Sequence, residues 1–153
     1  MSKRTVRLRS RTTAIEICDI LSTQGHFIHV KRKLNSSSLS HLFSQGLVSA
    51  DLLLMSQEYR ETVLQEVRTA ERAKRAGRDG AFSAMIRDGV QPGRLEVVYA
   101  VIAKWGDEGK GKDRGIAEAM PFFSKVNLRR CATDLKRMGY SVSYKRIPEV
   151  QRA

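Results

Sequence analysis

The sequence is poor in acidic residues, histidine and cysteine, and it has no long apolar run. Sixteen Asp and Glu residues face 28 Lys and Arg residues, which gives the 153-residue chain a formal net charge of +12. No stretch approaches the length of a membrane span, and no signal-peptide core follows the basic start. Cys18 and Cys131 lack metal-type spacing, so we expect two buried thiols, without a disulfide, in a reducing cytosol. These absences predict a cytoplasmic protein with no membrane partner.

Several catalytic motifs are missing as well. The chain contains no Walker-type loop and no GxGxxG, GxSxG, CxxC or HExxH motif. It has three histidines, and two of them (His26 and His29) lie close together in one predicted strand region. A serine or cysteine hydrolase is therefore hard to assemble from these residues.

The excess of cations is the strongest positive signal in the composition. It favours a polyanionic partner, most simply nucleic acid. Two alternatives stay open at this point: a protein that is basic by chance, and one piece of a longer protein whose acidic parts lie elsewhere.

The spacing of apolar residues predicts a mixed α/β fold with a central sheet and helices packed against it. Residues 1–12 are either a basic arm, a first strand or a truncated start, and residues 13–150 form a single domain. The predicted strands are Ala14–Leu21, Phe27–Lys33, Leu95–Trp105 and Tyr140–Ile147, the first two joined as a hairpin at Gly25. The predicted helices are a short one closed by Gly46, then Ala50–Met55, Glu58–Arg75 and Phe122–Met138. The predicted loops are Ala76–Gly93, with a helical turn near Phe82–Ile86, and Gly106–Gly115.

The hairpin carries the most specific chemical pattern. Alternation sets Asp19 on one strand opposite His29 and Lys31 on the next. Two-strand nuclease sites take a carboxylate from the first strand, a second ligand from the next, and a lysine that stabilises the phosphate charge. The spacing fits the PD-(D/E)xK nuclease pattern, which predicts a restriction-endonuclease-like architecture. Asp19 would then hold Mg²⁺ or Mn²⁺, and His29 would be a second metal ligand or a base. Lys31 would stabilise the phosphate, and Gln45 on the following helix would orient them.

His29 departs from this pattern, because the middle position is usually Glu or Gln. Imidazole suits a transition metal better than Mg²⁺, which prefers oxygen ligands. Two other interpretations stay open. The hairpin binds phosphate without catalysis, or Asp19 accepts turn hydrogen bonds beside a half-buried His29 and a basic strand edge.

Two further groups of residues are candidates for phosphate binding. Lys33, Ser37 and Ser38 stand where a helix begins, although serines also cap helices in proteins that bind no phosphate. The late helix carries Arg129, Arg130, Lys136 and Arg137, which either track a nucleic-acid backbone or form a solvated face. In that helix Phe122, Val126 and Leu135 are predicted to be core, and Phe123 can join them. After the helix, Tyr140 and Tyr144 are available for stacking.

Three segments carry a resemblance to a known family. IEICDIL, FIHVKRKLNSSSLSHLFSQGLVSADLLL and PFFSKVNLRRCATDLKRMGYSVSYKRIP resemble the C-terminal part of uncharacterised bacterial proteins called "sporadically distributed". The resemblance implies a gene found patchily among genomes, as mobile-element and defence genes are. It also implies that this chain is a C-terminal module, a fragment or a short product of a longer protein, and it carries no activity.

The sequence therefore predicts a restriction-endonuclease-like module that engages nucleic acid in a mobile-element or defence context. Metal-dependent hydrolysis of a phosphodiester is the chemistry that the hairpin pattern would supply. The alternative is a non-catalytic structural or docking module that packs onto the remainder of a longer protein.

Overall fold

A computed structural model describes residues 5–8, 15–32, 35–74, 80–104 and 120–150. Within them a five-stranded sheet packs against four helices, which confirms the predicted mixed α/β class. The strands are β1 (Thr5–Arg7), β2 (Ile20–Ser22), β3 (His26–Arg32), β4 (Glu96–Ala103) and β5 (Ser141–Pro148). The helices are α1 (Ser36–Met55), α2 (Gln57–Lys74), α3 (Ala81–Arg87) and α4 (Phe122–Arg137), and a 3₁₀ turn covers Pro92–Arg94.

The sheet has the order β1-β2-β3-β4-β5, so the strands lie side by side in chain order. Strands β1, β2 and β3 pair antiparallel, whereas β3, β4 and β5 pair parallel. Both parallel pairs need crossover connections, and crossovers of one hand between strands in this order place their helices on the same face. The packing agrees, because α1 contacts β3 and β4 while α4 contacts β5 and α1.

Helices α1 and α4 begin at the same edge of the sheet, where the parallel strands end. Helix α1 follows β3 after a short connection. The Asn127 side-chain amide in the second turn of α4 donates to the carbonyl of Ser40 in α1 at 3.0 Å. Farther along, the Tyr140 hydroxyl donates to the carbonyl of Ala50 at 3.0 Å. The two helices therefore run alongside each other, with their positive ends at the carboxyl edge of β3, β4 and β5.

One continuous apolar core lies between the sheet and the helices. Alternate side chains of β3 and β4 face it, including Phe27 and Tyr99, while α1 contributes Leu39 and Phe43. The Phe43 ring meets the Tyr99 ring edge-on, with centroids 5.1 Å apart, and the Tyr99 hydroxyl donates to the Phe43 carbonyl at 2.9 Å. These contacts fix α1 across the centre of the sheet.

Gly46 does not end the first helix, so the prediction of two short helices was wrong. Helix α1 runs unbroken from Ser36 to Met55, and Gly46 is fully inside it. A Cβ at Gly46 would lie only 2.6 Å from Cε1 of Tyr99. The glycine is thus needed for the close approach of α1 to β4, and not for a left-handed cap.

The first strand of the hairpin is shorter than predicted. Only Ile20–Ser22 is a strand, and the described residues before it are irregular, although Ile17 and Cys18 are buried. At this point the Asp19 carboxylate accepts the Val30 backbone N–H at 2.7 Å. A side chain thus takes the place of the next ladder bond, which lets the chain leave the sheet.

Other local predictions agree with the structure in part. Helix α2 matches the predicted helix Glu58–Arg75, and the Ser56 hydroxyl accepts the Tyr59 N–H at 3.1 Å as a cap. A seven-residue helix, α3, replaces the predicted turn, and the buried Glu71 carboxylate caps it by accepting the N–H groups of Phe82 and Ser83. Residues Thr5–Arg7 are a strand, and the predicted loop Gly106–Gly115 lies outside the described residues.

Both cysteines are free and buried, as predicted. Among the described residues, no helix is both long enough and apolar enough to cross a membrane.

Candidate functional site

In the hairpin, the structure gives Asp19 a structural task. One carboxylate oxygen accepts the Val30 N–H at 2.7 Å, and the Asp19 backbone N–H donates to the Ile28 carbonyl at 3.0 Å. Both contacts tie the chain entering β2 to strand β3. The arrangement matches the alternative in which Asp19 accepts backbone hydrogen bonds beside the strand.

His29 lies in the core. Its exposed fraction is 4%, its ring centroid is 5.9 Å from that of Tyr99, and its Nε2 atom has no hydrogen-bond partner. Burial disfavours the imidazolium and lowers the His29 pKa to about 4, although the nearby charge of Asp19 acts in the opposite direction. His29 is therefore neutral at physiological pH, and it lies away from solvent.

Lys31 lies two residues after His29 in β3, so it is on the same face of the sheet and closer to the carboxyl edge. Its Cα is paired with that of Val101, which in turn is paired with that of Arg146. Two strand spacings separate the Cα atoms of Lys31 and Arg146 by about 10 Å. Lys31 is half-buried, and Gln45 is half-buried on α1. Lys33 lies outside the described residues.

The hairpin residues make a poor fit to the predicted Mg²⁺ or Mn²⁺. Asp19 and His29 together offer one carboxylate, already bound to a peptide N–H, and one buried imidazole. Mg²⁺ prefers an octahedron of oxygen ligands. Nowhere in the described ranges do three or more His, Cys, Asp or Glu side chains cluster closely enough to hold a metal ion. The divalent metal therefore stays a prediction from sequence spacing.

The serine-rich start of α1 is a capping box. The Asn35 side chain accepts the Ser38 N–H at 2.8 Å, and the Ser38 hydroxyl accepts the Asn35 N–H at 3.3 Å. The Ser38 hydroxyl also donates to the Asn35 carbonyl at 2.9 Å. Ser38 is thus occupied by capping, while Ser37 is exposed at the carboxyl edge. This geometry agrees with the simpler of the two interpretations of these serines.

Helix α4 has one buried face and one fully exposed face. The buried face is centred on Ser124, Leu128, Cys131 and Leu135, which recur at helical spacing. The exposed positions form what we call the α4 face: Phe122, Phe123, Val126, Arg129, Arg130, Thr133, Lys136 and Arg137. Apolar side chains occupy its beginning and cations the rest.

The prediction that Phe122 and Val126 belong to the core was wrong, and Phe123 does not join the core either. Phe122 is 71% exposed, Phe123 is 76% exposed and Val126 is 52% exposed. Leu135 is fully buried, as predicted. The sequence held a signal for this outcome, because the helical stripe through Phe122 and Val126 continues into Arg129 and Arg130, whereas the stripe through Leu135 stays uncharged.

Charges on the α4 face are nearly unopposed. Helix α4 contains five cations and a single acid, Asp134, which forms a long contact of 3.4 Å with Arg137. No acidic residue lies in the first turn, and no side chain caps the helix start at Pro121. Helix α2, by comparison, contains four cations and four acids.

The tyrosines near α4 are less available than predicted. Tyr140 is buried, and its hydroxyl is used in the bond to Ala50. Tyr144 is half-buried, with its ring centroid 6.3 Å from that of Phe43. This burial excludes stacking by Tyr140. Among the described residues, the exposed aromatic rings are Phe122 and Phe123, at the start of α4.

Comparisons with known proteins give a family without an activity. A match to a protein family of unknown function, DUF6119, spans residues 1–148. No curated protein and no solved structure shows a significant match to the chain. The likeness to restriction endonucleases and to the "sporadically distributed" proteins therefore stays a prediction.

Proposed function

This chain belongs to the protein family of unknown function DUF6119, and we propose that it binds nucleic acid along the α4 face. The observation that carries the proposal is the charge imbalance of one exposed helical face. Arg129, Arg130, Lys136 and Arg137 are all exposed there, and a single acid lies on the same helix. Cations that few neighbouring acids neutralise can bind the phosphates of a nucleic acid, and this binding releases counterions.

The rest of the molecule supports the same partner. The chain carries 28 cations and 16 acids, so its long-range field attracts polyanions. Lys31 and Ser37 lie at the carboxyl edge of the sheet, the edge at which α1 and α4 begin. Two helices also point their positive ends at this edge, and neither has an acidic residue in its first turn.

The proposal concerns binding and includes no hydrolytic step. One Asp19 carboxylate oxygen accepts the Val30 N–H and His29 is only 4% exposed, so the proposal assigns neither residue a role in binding. Cleavage of a phosphodiester by the hairpin stays a prediction from spacing.

A docking module is the second candidate, because three apolar side chains are exposed on α4. Phe122, Phe123 and Val126 would suit an apolar protein surface as well as a nucleic acid. Docking onto an acidic protein surface would use the four cations as well. The two candidates therefore differ in whether the α4 face binds an isolated oligonucleotide.

The test is binding of a fluorescently labelled 20-nucleotide oligonucleotide, measured by anisotropy over a salt series. Each cation that contacts a phosphate contributes about 0.7–0.9 to the slope of log affinity against log salt. We expect Arg129→Ala/Arg130→Ala to lower that slope by about 1.5 and the affinity at low salt by about tenfold.

The matched control is Arg68→Ala/Arg72→Ala, which removes the same charge from exposed positions of α2. Because this pair lies on a charge-balanced helix, its slope and affinity should remain near those of the wild type. Equal losses in both double variants would mean that only net charge matters, which would contradict a site on α4. Absence of binding to single-stranded and duplex DNA and RNA at low salt would reject the proposed function and favour docking.

A further inference from the structure

The α4 face also carries two aromatic rings that the phosphate contacts do not use. Phe122 and Phe123 are adjacent in the chain and are 71% and 76% exposed. Their ring centroids are 5.6 Å apart, with an interplanar angle of 75°. Aromatic side chains of this size are usually buried, so an exposed pair marks a contact surface.

The position of the pair relative to the cations limits what can bind. The rings occupy the first turn of α4, and Arg129 and Arg130 follow seven or eight residues later. At a rise of ~1.5 Å per residue, this places the arginines about 11 Å farther along the same face. A ligand that lies along the face therefore meets flat apolar rings first and positive charges next. Unpaired nucleotides supply both matching groups, a base with a flat face and a phosphate.

A duplex offers the phosphates but not the base faces, because its bases stack on one another. Phenyl rings would have to wedge between base pairs and unstack them, which costs binding free energy. In a single strand the base faces are accessible, and stacking on an aromatic side chain is tolerant of sequence. The perpendicular arrangement lets one ring stack on a base while the other meets its edge.

We propose that the α4 face selects single-stranded nucleic acid, with Phe122 and Phe123 stacking on unpaired bases while Arg129 and Arg130 bind the phosphates. This inference rests on the proposed binding of nucleic acid by α4. It adds the substrate class, which charge alone does not determine.

The test compares the affinity of the full chain for a labelled single-stranded 20-mer and for the duplex of the same sequence. Phe122→Ala/Phe123→Ala should weaken single-strand binding by about tenfold or more, because the stacking of the bases on the two rings is lost. Duplex affinity should change less than about twofold, and the salt slope should stay unchanged, since no phosphate contact is removed.

Two further variants separate stacking from general apolar contact. Phe122→Leu/Phe123→Leu keeps apolar bulk but removes the π face, so it should weaken single-strand binding as the alanine variant does. Val48→Ala/Met55→Ala removes exposed apolar side chains from α1 and should leave both affinities at the wild-type level.

The outcomes distinguish this inference from the proposal beneath it. If the phenylalanine variants lose duplex and single-strand affinity equally, or lose neither, while Arg129→Ala/Arg130→Ala still weakens binding, selection of single strands is wrong and nucleic-acid binding stands. Retention of single-strand affinity by the leucine variant would likewise contradict stacking. Failure of the wild type to bind either oligonucleotide would overturn both proposals.

Discussion

The hairpin and helix α4 both carry residues that the sequence marks for phosphate chemistry, but the structure gives them opposite surroundings. In the hairpin, Asp19 is held by a backbone N–H and His29 is in the core. On α4, the arginines and lysines are exposed, and one acid accompanies five cations.

Spacing along a strand does not by itself make a phosphate-binding or metal-binding site. Alternation correctly predicts that His29 faces the same side as Phe27, but this is the side that α1 covers. A charged or polar pattern on a covered face serves the fold, whereas the same residue types on an uncovered face are free to meet a ligand. Three experiments test this contrast. The first two should reveal changes in stability, and the third should reveal almost none.

The largest expected effect is a loss of stability in acid caused by His29. Burial lowers its folded-state pKa to about 4, against an ordinary value of 6.5. The unfolded chain therefore binds more protons between these pH values, so the stability contribution is complete above pH 6.5 and is lost as the pH falls towards 4. We expect a decrease of about 2 kcal/mol in the free energy of unfolding between pH 7 and 4.5 from this residue.

The measurement is urea unfolding of the wild type and of His29→Gln across that pH range. Glutamine does not titrate, so the variant should lose about 2 kcal/mol less than the wild type over the same interval. Parallel pH curves for the two proteins would show that His29 is accessible and protonates freely. The contrast with α4 would then be broken.

The next effect concerns Asp19. Asp19→Ala leaves the Val30 N–H without its acceptor, which should lower the free energy of unfolding by about 2 kcal/mol. Asp19→Asn keeps an acceptor oxygen and should cost less. The exposed Asp88→Ala, whose partner is the neighbouring Arg87, serves as the control and should give no measurable change.

The same Asp19 variants test hairpin catalysis. We expect their nucleic-acid affinity to equal that of the wild type. Cleavage of labelled DNA in Mg²⁺ or Mn²⁺ that disappears in Asp19→Asn and in Lys31→Ala would show that the hairpin works as a nuclease site, and the structural role assigned to Asp19 would then be incomplete.

The smallest expected effect on stability belongs to the α4 face. Phe122→Ala/Phe123→Ala removes two large side chains, but both are more than 70% exposed. The free energy of unfolding should therefore change by less than about 0.5 kcal/mol, measured by urea unfolding at pH 7. A loss of several kcal/mol would place these rings in the core and remove them from any interface.

Much of the fold follows from local signals in the sequence. Strand β3, helix α2 and strand β4 are predicted within a few residues, because periodicity and Ser56 as a cap act over short distances. A glycine in a helical pattern usually marks a helix end, so the sequence predicts two short helices where α1 is continuous. The reason for Gly46 is its close contact with Tyr99, a residue 53 positions later in the chain.

The candidate site was only partly predictable for a related reason. The pattern of the late helix predicts the cations of α4, and their exposure fits both a phosphate-binding face and a solvated one. Hydrophobicity alone predicts that Phe122 and Val126 belong to the core. The next residues on the same helical face are arginines, which indicates that this face is exposed. The sealing of His29 depends on where α1 crosses the sheet, which no local pattern around His29 contains.

The most direct test of the account is an amide chemical-shift titration of the ¹⁵N-labelled protein with a single-stranded oligonucleotide. We predict that the perturbed amides cluster in Phe122–Arg137 and at the carboxyl edge beside it, while Asp19, His29 and Val30 hardly move. Perturbations centred on the hairpin, with α4 unchanged, would show that nucleic acid meets the hairpin and not the exposed helix.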